Sequence, residues 1–247
     1  MALYDLIVNV KSEVLDLDKI HLSKTNRIEL KQLLKEFKHL KRLEEFNLPV
    51  DNKLLLFGHT GCGKTTTAKA IAKYLNKKII ILNLGGIVDS RLGQTAKNVT
   101  EVFKKASREN SVLFLDEFDS IGKIRDYDNK DSGEMKRLVN TVIQLIDQLP
   151  SQTLLIAATN NSKIIDTALL RRFQLKLEFI KPSNNQLDAY YDTLITQFPK
   201  EFRSIGRKYN LSYAEAKDVA FRAIKNNIVN SIEESELTKI EQDESIN

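Results

Sequence analysis

Hydrophobic positions follow two alternating rhythms along this chain. Five apolar runs, Leu54 to Phe57, Ile79 to Leu84, Val112 to Leu115, Thr153 to Thr159 and Leu175 to Ile180, are strand-length, and several are rich in β-branched residues. Between them apolar residues fall at helical spacing: Thr66 to Tyr74, then Val99, Val102, Phe103 and Ala106, then Met135, Leu138, Val139, Val142, Ile146 and Leu149. Strands alternating with helices predict an α/β fold, with a parallel sheet covered on both faces. Ahead of the first strand, Leu30, Leu33, Leu34, Phe37 and Leu40 predict a helix with one apolar face over residues 24–46, and Pro49 begins the entry into the core.

Pro182-Ser183-Asn184-Asn185 breaks the pattern, and only helical periodicity follows. Ser212-Tyr213-Ala214-Glu215 has the form of a capping box, opening a helix that carries Ala216, Val219, Ala220, Ala223 and Ile224. The predicted organisation is an N-terminal helical segment (1–49), a core (50–182), a small helical lid (183–230) and an acidic tail (231–247). The tail is expected to be frayed or disordered, or to add one short helix.

At 247 residues and 42% apolar content, the chain is long enough for one large domain or a core with a satellite. No apolar run approaches bilayer length, and Met1 to Lys11 lacks the basic end and long apolar stretch of a signal peptide. The expectation is a cytoplasmic protein without a membrane partner. The sole cysteine, Cys62, excludes an internal disulfide. The net charge of +5 is uneven, because Glu233, Glu234, Glu236, Glu241, Asp243 and Glu244 oppose only Lys239 after residue 230. A basic body could attract nucleic acid. Its lysines alternate with acids, however, as in Lys31, Lys35, Glu36, Lys38, Lys41, Arg42, Glu44 and Glu45, and a solvated helix face explains them more simply.

Gly58-His59-Thr60-Gly61-Cys62-Gly63-Lys64-Thr65 fits the phosphate-binding pattern G-x-x-x-x-G-K-[ST], with a strand before it and a helix after it. Glycines let successive N–H groups curl toward phosphate at the positive end of the helix. Lys64 would reach the β- and γ-phosphates, Thr65 offers Mg²⁺ a hydroxyl, and Thr66 continues the binding segment from Gly58. The run Val112 to Leu115 ends in Asp116-Glu117. Asp116 would help to hold Mg²⁺, and Glu117 would polarise the water that attacks the γ-phosphate. The run ending in Thr159-Asn160 offers an amide for the γ-phosphate or that water. Arg171-Arg172 supplies two guanidinium groups suited to a transferring phosphoryl group.

Together these segments, over roughly residues 50–230, resemble the AAA+ ATPases, specifically the AAA subgroup of spastin, katanin and the membrane-tethered AAA proteases. Gly58 to Thr65 is similar to that family's Walker A motif, Asp116 and Glu117 to its Walker B pair, and Asn160 to its sensor-1 residue. Leu154 to Phe173 is similar to its second region of homology. The resemblance implies a P-loop NTPase core with a five-stranded parallel sheet, a helical lid, ATP and Mg²⁺ as ligands, and a ring, usually a hexamer. It also implies that Arg171 and Arg172 act in trans on a neighbour's ATP. Arg91-Leu92-Gly93 stands where threading members place an aromatic residue in the pore loop. A flexible cation grips apolar side chains less well, but could engage acidic segments or nucleic-acid phosphates.

These readings lead to an ATP-driven, homo-oligomeric remodeller of protein substrates, with a substrate adaptor or signalling protein as partner. The sequence has no H-E-x-x-H motif, so any proteolysis would need a separate peptidase subunit. The alternatives are a nucleic-acid-associated, loader-like ATPase and a monomeric nucleotide-dependent switch.

Overall fold

The computed structural model describes residues 14–88, 92–122 and 131–244. The chain divides into two compact units, one comprising Met1–Gly58 with Gly63–Phe179, the other His59–Cys62 with Ile180–Asn247.

The first unit is built on five strands: β1 (Lys53–Gly58), β2 (Ile79–Asn83), β3 (Val112–Asp116), β4 (Leu154–Thr159) and β5 (Leu175–Phe179). They form one parallel sheet in the order β2-β3-β4-β1-β5. The central strands read as continuous apolar runs because both of their faces are covered, and every residue of β4 is buried. Successive side chains point to opposite faces. Leu55, Leu113, Leu115, Leu155 and Ala157 pack with Val99, Val102 and Phe103 of α5 (Leu92–Arg108) and with Leu138, Val142 and Ile146 of α7 (Asp131–Asp147). The alternate positions Leu54, Leu56, Phe114 and Ile156 are equally buried, and α3 (Lys64–Tyr74) contacts β3 and β4. Short helices α4 (Gly85–Val88) and α6 (Asp119–Gly122) follow β2 and β3. The edge strand β5 alternates instead, with Leu177 and Phe179 buried and Lys176 and Glu178 exposed.

The single helix expected over residues 24–46 is two helices, α1 (Lys24–Lys38) and α2 (Leu40–Glu45). The break falls at His39, whose backbone leaves helical geometry (φ −103°, ψ 17°) while its N–H still donates to the Lys35 and Glu36 carbonyls. Phe37 and Leu40 are both buried, so the apolar period runs unbroken across the junction and spacing alone cannot see it. Ser23 caps α1, and the Asn26 amide donates to the Glu178 carbonyl of β5 at 2.8 Å, which fastens this helix to the strand.

The second unit packs α9 (Asn184–Ile195) against α10 (Tyr213–Glu244) through Leu187, Tyr191, Leu194, Ala216 and Ala220. The break at Pro182 is followed at once by a capping box between Ser183 and Gln186. The box expected at Ser212 is present: Glu215 N–H donates to the Ser212 hydroxyl at 3.3 Å, and Ser212 N–H donates to the Glu215 carboxylate at 2.7 Å. That contact holds the Glu215 carboxyl below the usual range. Tyr213 meets Tyr190 edge to face at 4.9 Å, and burial pushes its phenol up to about 12.

The acidic tail is not a separate frayed segment up to Glu244, because α10 continues through it. No Gly or Pro interrupts residues 213–244, and strong helix formers dominate its distal half, so propagation from the packed proximal half suffices. Val229, Ile232 and Leu237 are exposed on it.

Ser212→Ala removes one half of the α10 box. The expected loss is about 1 kcal/mol, a fall in Tm of about 2–4 °C. Differential scanning calorimetry checks it, and an unchanged Tm would show that the cap is redundant.

Candidate active site

A parallel sheet delivers the C-terminal ends of its strands to one edge, and β1, β3 and β4 end there in Gly58, Asp116 and Thr159. Gly58 has φ +122°, and a Cβ at this position would stand 2.2 Å from the Phe179 carbonyl oxygen. Only glycine lets the chain leave β1 so close to β5. Gly63 has φ +99°, caps α3, and would direct a Cβ into open space. The first N–H groups of α3, which follow directly, have no intrahelical acceptors and form the positive end of the helix. Lys64 is buried to 8% exposure, and its ammonium donates to the Gly58 carbonyl at 2.8 Å, so the cation is held back over the loop.

Thr65 Oγ1 donates to Asp116 Oδ2 at 3.3 Å, which brings together the two residues expected at a metal. The other oxygen, Oδ1, accepts the Glu117 N–H at 3.0 Å. Glu117 is exposed and sits in the left-handed region (φ +53°). Its turn is fixed by the Phe118 N–H, which donates to the Ala158 carbonyl at 2.8 Å, and by the fully buried Phe118 ring.

Sequence reasoning missed Asn83, at the end of β2 and directly opposite Asp116 in the parallel register. Its amide donates to Glu117 Oε1 at 3.3 Å, while its Oδ1 accepts the Gly85 N–H at 2.8 Å and the Gly86 N–H at 3.3 Å. A Cβ at Gly85 would lie 1.9 Å from Glu117 Oε2, so a side chain there would displace the flexible end of that carboxylate. The signal available was Asn83 between an apolar strand and Gly85-Gly86, which reads equally well as an ordinary turn.

Asn160 follows β4 and is exposed. Arg171 and Arg172 follow α8 (Thr167–Leu170), whose first turn is capped by Asp166. Among the described residues no hydrogen bond or ion pair joins either arginine or Asn160 to Thr65, Asp116 or Glu117. Thr66 is exposed on the first turn of α3. The remaining loop residues belong to the other unit: His59 and Thr60 are exposed, Cys62 is buried with its thiol 3.8 Å from the Thr60 carbonyl, and the Gly61 carbonyl accepts the Ala214 N–H at 3.1 Å. Arg91 and Met1 to Lys11 lie outside the described residues.

The donor set suits Mg²⁺. One hydroxyl and one carboxylate, both oxygen donors, leave the coordination open to substrate phosphates and water, whereas among the described residues no cluster of three or more His, Cys, Asp or Glu forms a closed cage. Among them, too, no helix is long and apolar enough to cross a membrane.

A glycine-curled loop between a parallel strand and a helix, with a carboxylate on the next strand but one, defines the P-loop nucleoside triphosphatases. Residues 54–180 match the family described as ATPase family associated with various cellular activities (AAA). An uncharacterized AAA family ATPase, y4kL of Sinorhizobium fredii, is 33% identical over 92% of this chain and 70% of its own length. A 26S proteasome regulatory subunit 8 homolog of Schizosaccharomyces pombe is 34% identical over 63% of this chain. The ATP-dependent zinc metalloprotease FtsH of Streptobacillus moniliformis is 31% identical over 62%. The matches cover only 40% and 24%, respectively, of those last two proteins. This chain belongs to the AAA family of ATPases.

If Asn83 orients Glu117, Asn83→Ala lowers kcat for ATP about ten- to hundredfold with little change in nucleotide affinity. Steady-state turnover and nucleotide titration separate the two. Weakened binding at unchanged kcat would assign Asn83 to the nucleotide instead.

Proposed function

We propose that this protein hydrolyses ATP as one subunit of a homo-oligomeric ring, of hexamer size, and uses the cycle to remodel protein substrates presented by a partner. The observation that carries the oligomer is Arg171. It is exposed, and its guanidinium makes no hydrogen bond or ion pair among the described residues, so its charge is available to another molecule. The relatives named as a proteasome regulatory subunit homolog and an ATP-dependent protease support protein as the substrate class.

In this reading Lys64 and the first N–H groups of α3 hold the β- and γ-phosphates, with Gly58 and Gly63 keeping the approach clear. Thr65 and Asp116 are the residues that would hold Mg²⁺, which supplies positive charge against the phosphate oxygens when bound. Glu117, steadied by Asn83, orients a water and accepts its proton as the water oxygen bonds to the γ-phosphorus. The bond from that phosphorus to the β–γ bridging oxygen breaks, which leaves ADP and phosphate. Asn160 donates its amide to a γ-phosphate oxygen. A neighbouring subunit supplies guanidinium charge to the transferring group.

Glu117→Gln keeps the binding residues and removes the proton acceptor. The expected result is nucleotide binding with turnover down by about a hundredfold or more. With ATP and Mg²⁺ the variant should also shift, by light scattering, from the chain mass to about six times that mass. A variant that binds ATP and stays monomeric at all concentrations would sink the ring.

A further inference from the structure

Arg171 and Arg172 are adjacent in sequence but have opposite surroundings. Arg171 is exposed and makes no side-chain bond among the described residues. Arg172 forks onto Asp147, with Nε 2.8 Å from Oδ1 and Nη2 2.9 Å from Oδ2, while Nη1 donates to the Ala168 carbonyl at 2.5 Å. Three of the five N–H groups of a guanidinium are thereby used inside the chain. The next residue, Phe173, is buried at 2% exposure and meets the Phe118 ring edge to face at 5.4 Å. The two residues directly after Arg171 are therefore pinned, one by a fork on α7 and the other by a ring in the core.

Asp147 is the last residue of α7, where a carboxylate faces the negative end of the helix dipole. A cation there is favourable, and Arg172 supplies one. Exposed ion pairs ordinarily contribute little, but a planar two-point fork with a third bond to a carbonyl fixes direction as well as distance.

We propose that the pair divides its work. Arg172 with Asp147 is a positioning brace, and Arg171 is the one guanidinium delivered across the subunit interface. This rests on the reading that arginine acts in trans, and it departs from the expectation that both arginines do. With Arg172 committed to Asp147 and Ala168, its backbone is held so that Arg171 projects outward from its own chain.

The test is a double-mutant cycle on ATP turnover in the assembled full-length protein. Arg171→Ala alone should cost about a thousandfold or more in kcat. Asp147→Asn, nearly isosteric, should cost about tenfold or more. In the Arg171→Ala background, Asp147→Asn and Arg172→Ala should each change kcat by less than about twofold, because a brace has nothing left to position. The reciprocal swap Asp147→Arg with Arg172→Asp should recover most of the turnover lost in Arg172→Asp alone. The brace is overturned if Asp147→Asn keeps wild-type kcat while Arg172→Ala abolishes it, or if Arg172→Ala costs a further tenfold in the Arg171→Ala background. If Arg171→Ala and Arg172→Ala are both fully active, the trans-arginine reading itself fails, and the proposal with it. Should Arg172→Ala fail to assemble, Asp147→Asn with and without Arg171→Ala still decides the question.

Discussion

The Phe179 carbonyl oxygen stands 2.2 Å from the place a Cβ at position 58 would occupy, and the rest of the site depends on that close approach. The strand order puts β1 between β4 and β5, so the chain leaving β1 passes hard against β5. A glycine at Gly58 makes the turn possible, and a second left-handed glycine, Gly63, returns the chain into α3. Lys64 and Thr65 are then carried on the first turn of a helix whose body is anchored by Ala68, Ile71 and Ala72. The reactive end of that helix is positioned by apolar packing that does no chemistry.

The carboxylate side is held by a different logic. Asp116 accepts from both Thr65 and the Glu117 N–H, so it links the phosphate loop to the turn after β3. Glu117 adopts a backbone conformation that L-residues rarely take, and it is kept there by the buried Phe118 and the Phe118–Ala158 hydrogen bond. Asn83, at the end of the edge strand β2, donates to its carboxylate, and Gly85 just beyond lies beside it. Three strands thus converge on one exposed carboxylate, and the ring of Phe118 carries the same anchoring to Phe173 beside the arginines.

Much of this was legible in the chain because the signals were local. Each expected strand lies within two residues of an observed one, since fully buried parallel strands must be written as unbroken apolar runs. The Ser212–Glu215 cap reads directly, because its two hydrogen bonds span only three residues. The failures were equally physical. The apolar period crosses the His39 break because both helices bury residues there, and the acidic composition of residues 231–244 suggested fraying although nothing in it interrupts a helix.

Sequence alone determined the α/β class and the family, and it nominated the glycine-rich loop and the Asp116–Glu117 pair as the site, since each is encoded in contiguous residues at a fixed spacing. Only tertiary structure decided which residues meet. Asn83 reaches Glu117 across 34 positions, and Arg172 reaches Asp147 across 25. Such pairings arise from the register of parallel strands and the length of a packed helix, which no local pattern records. Two arginines identical in sequence became different in the fold, because one found a carboxylate at a helix end and the other was left facing solvent.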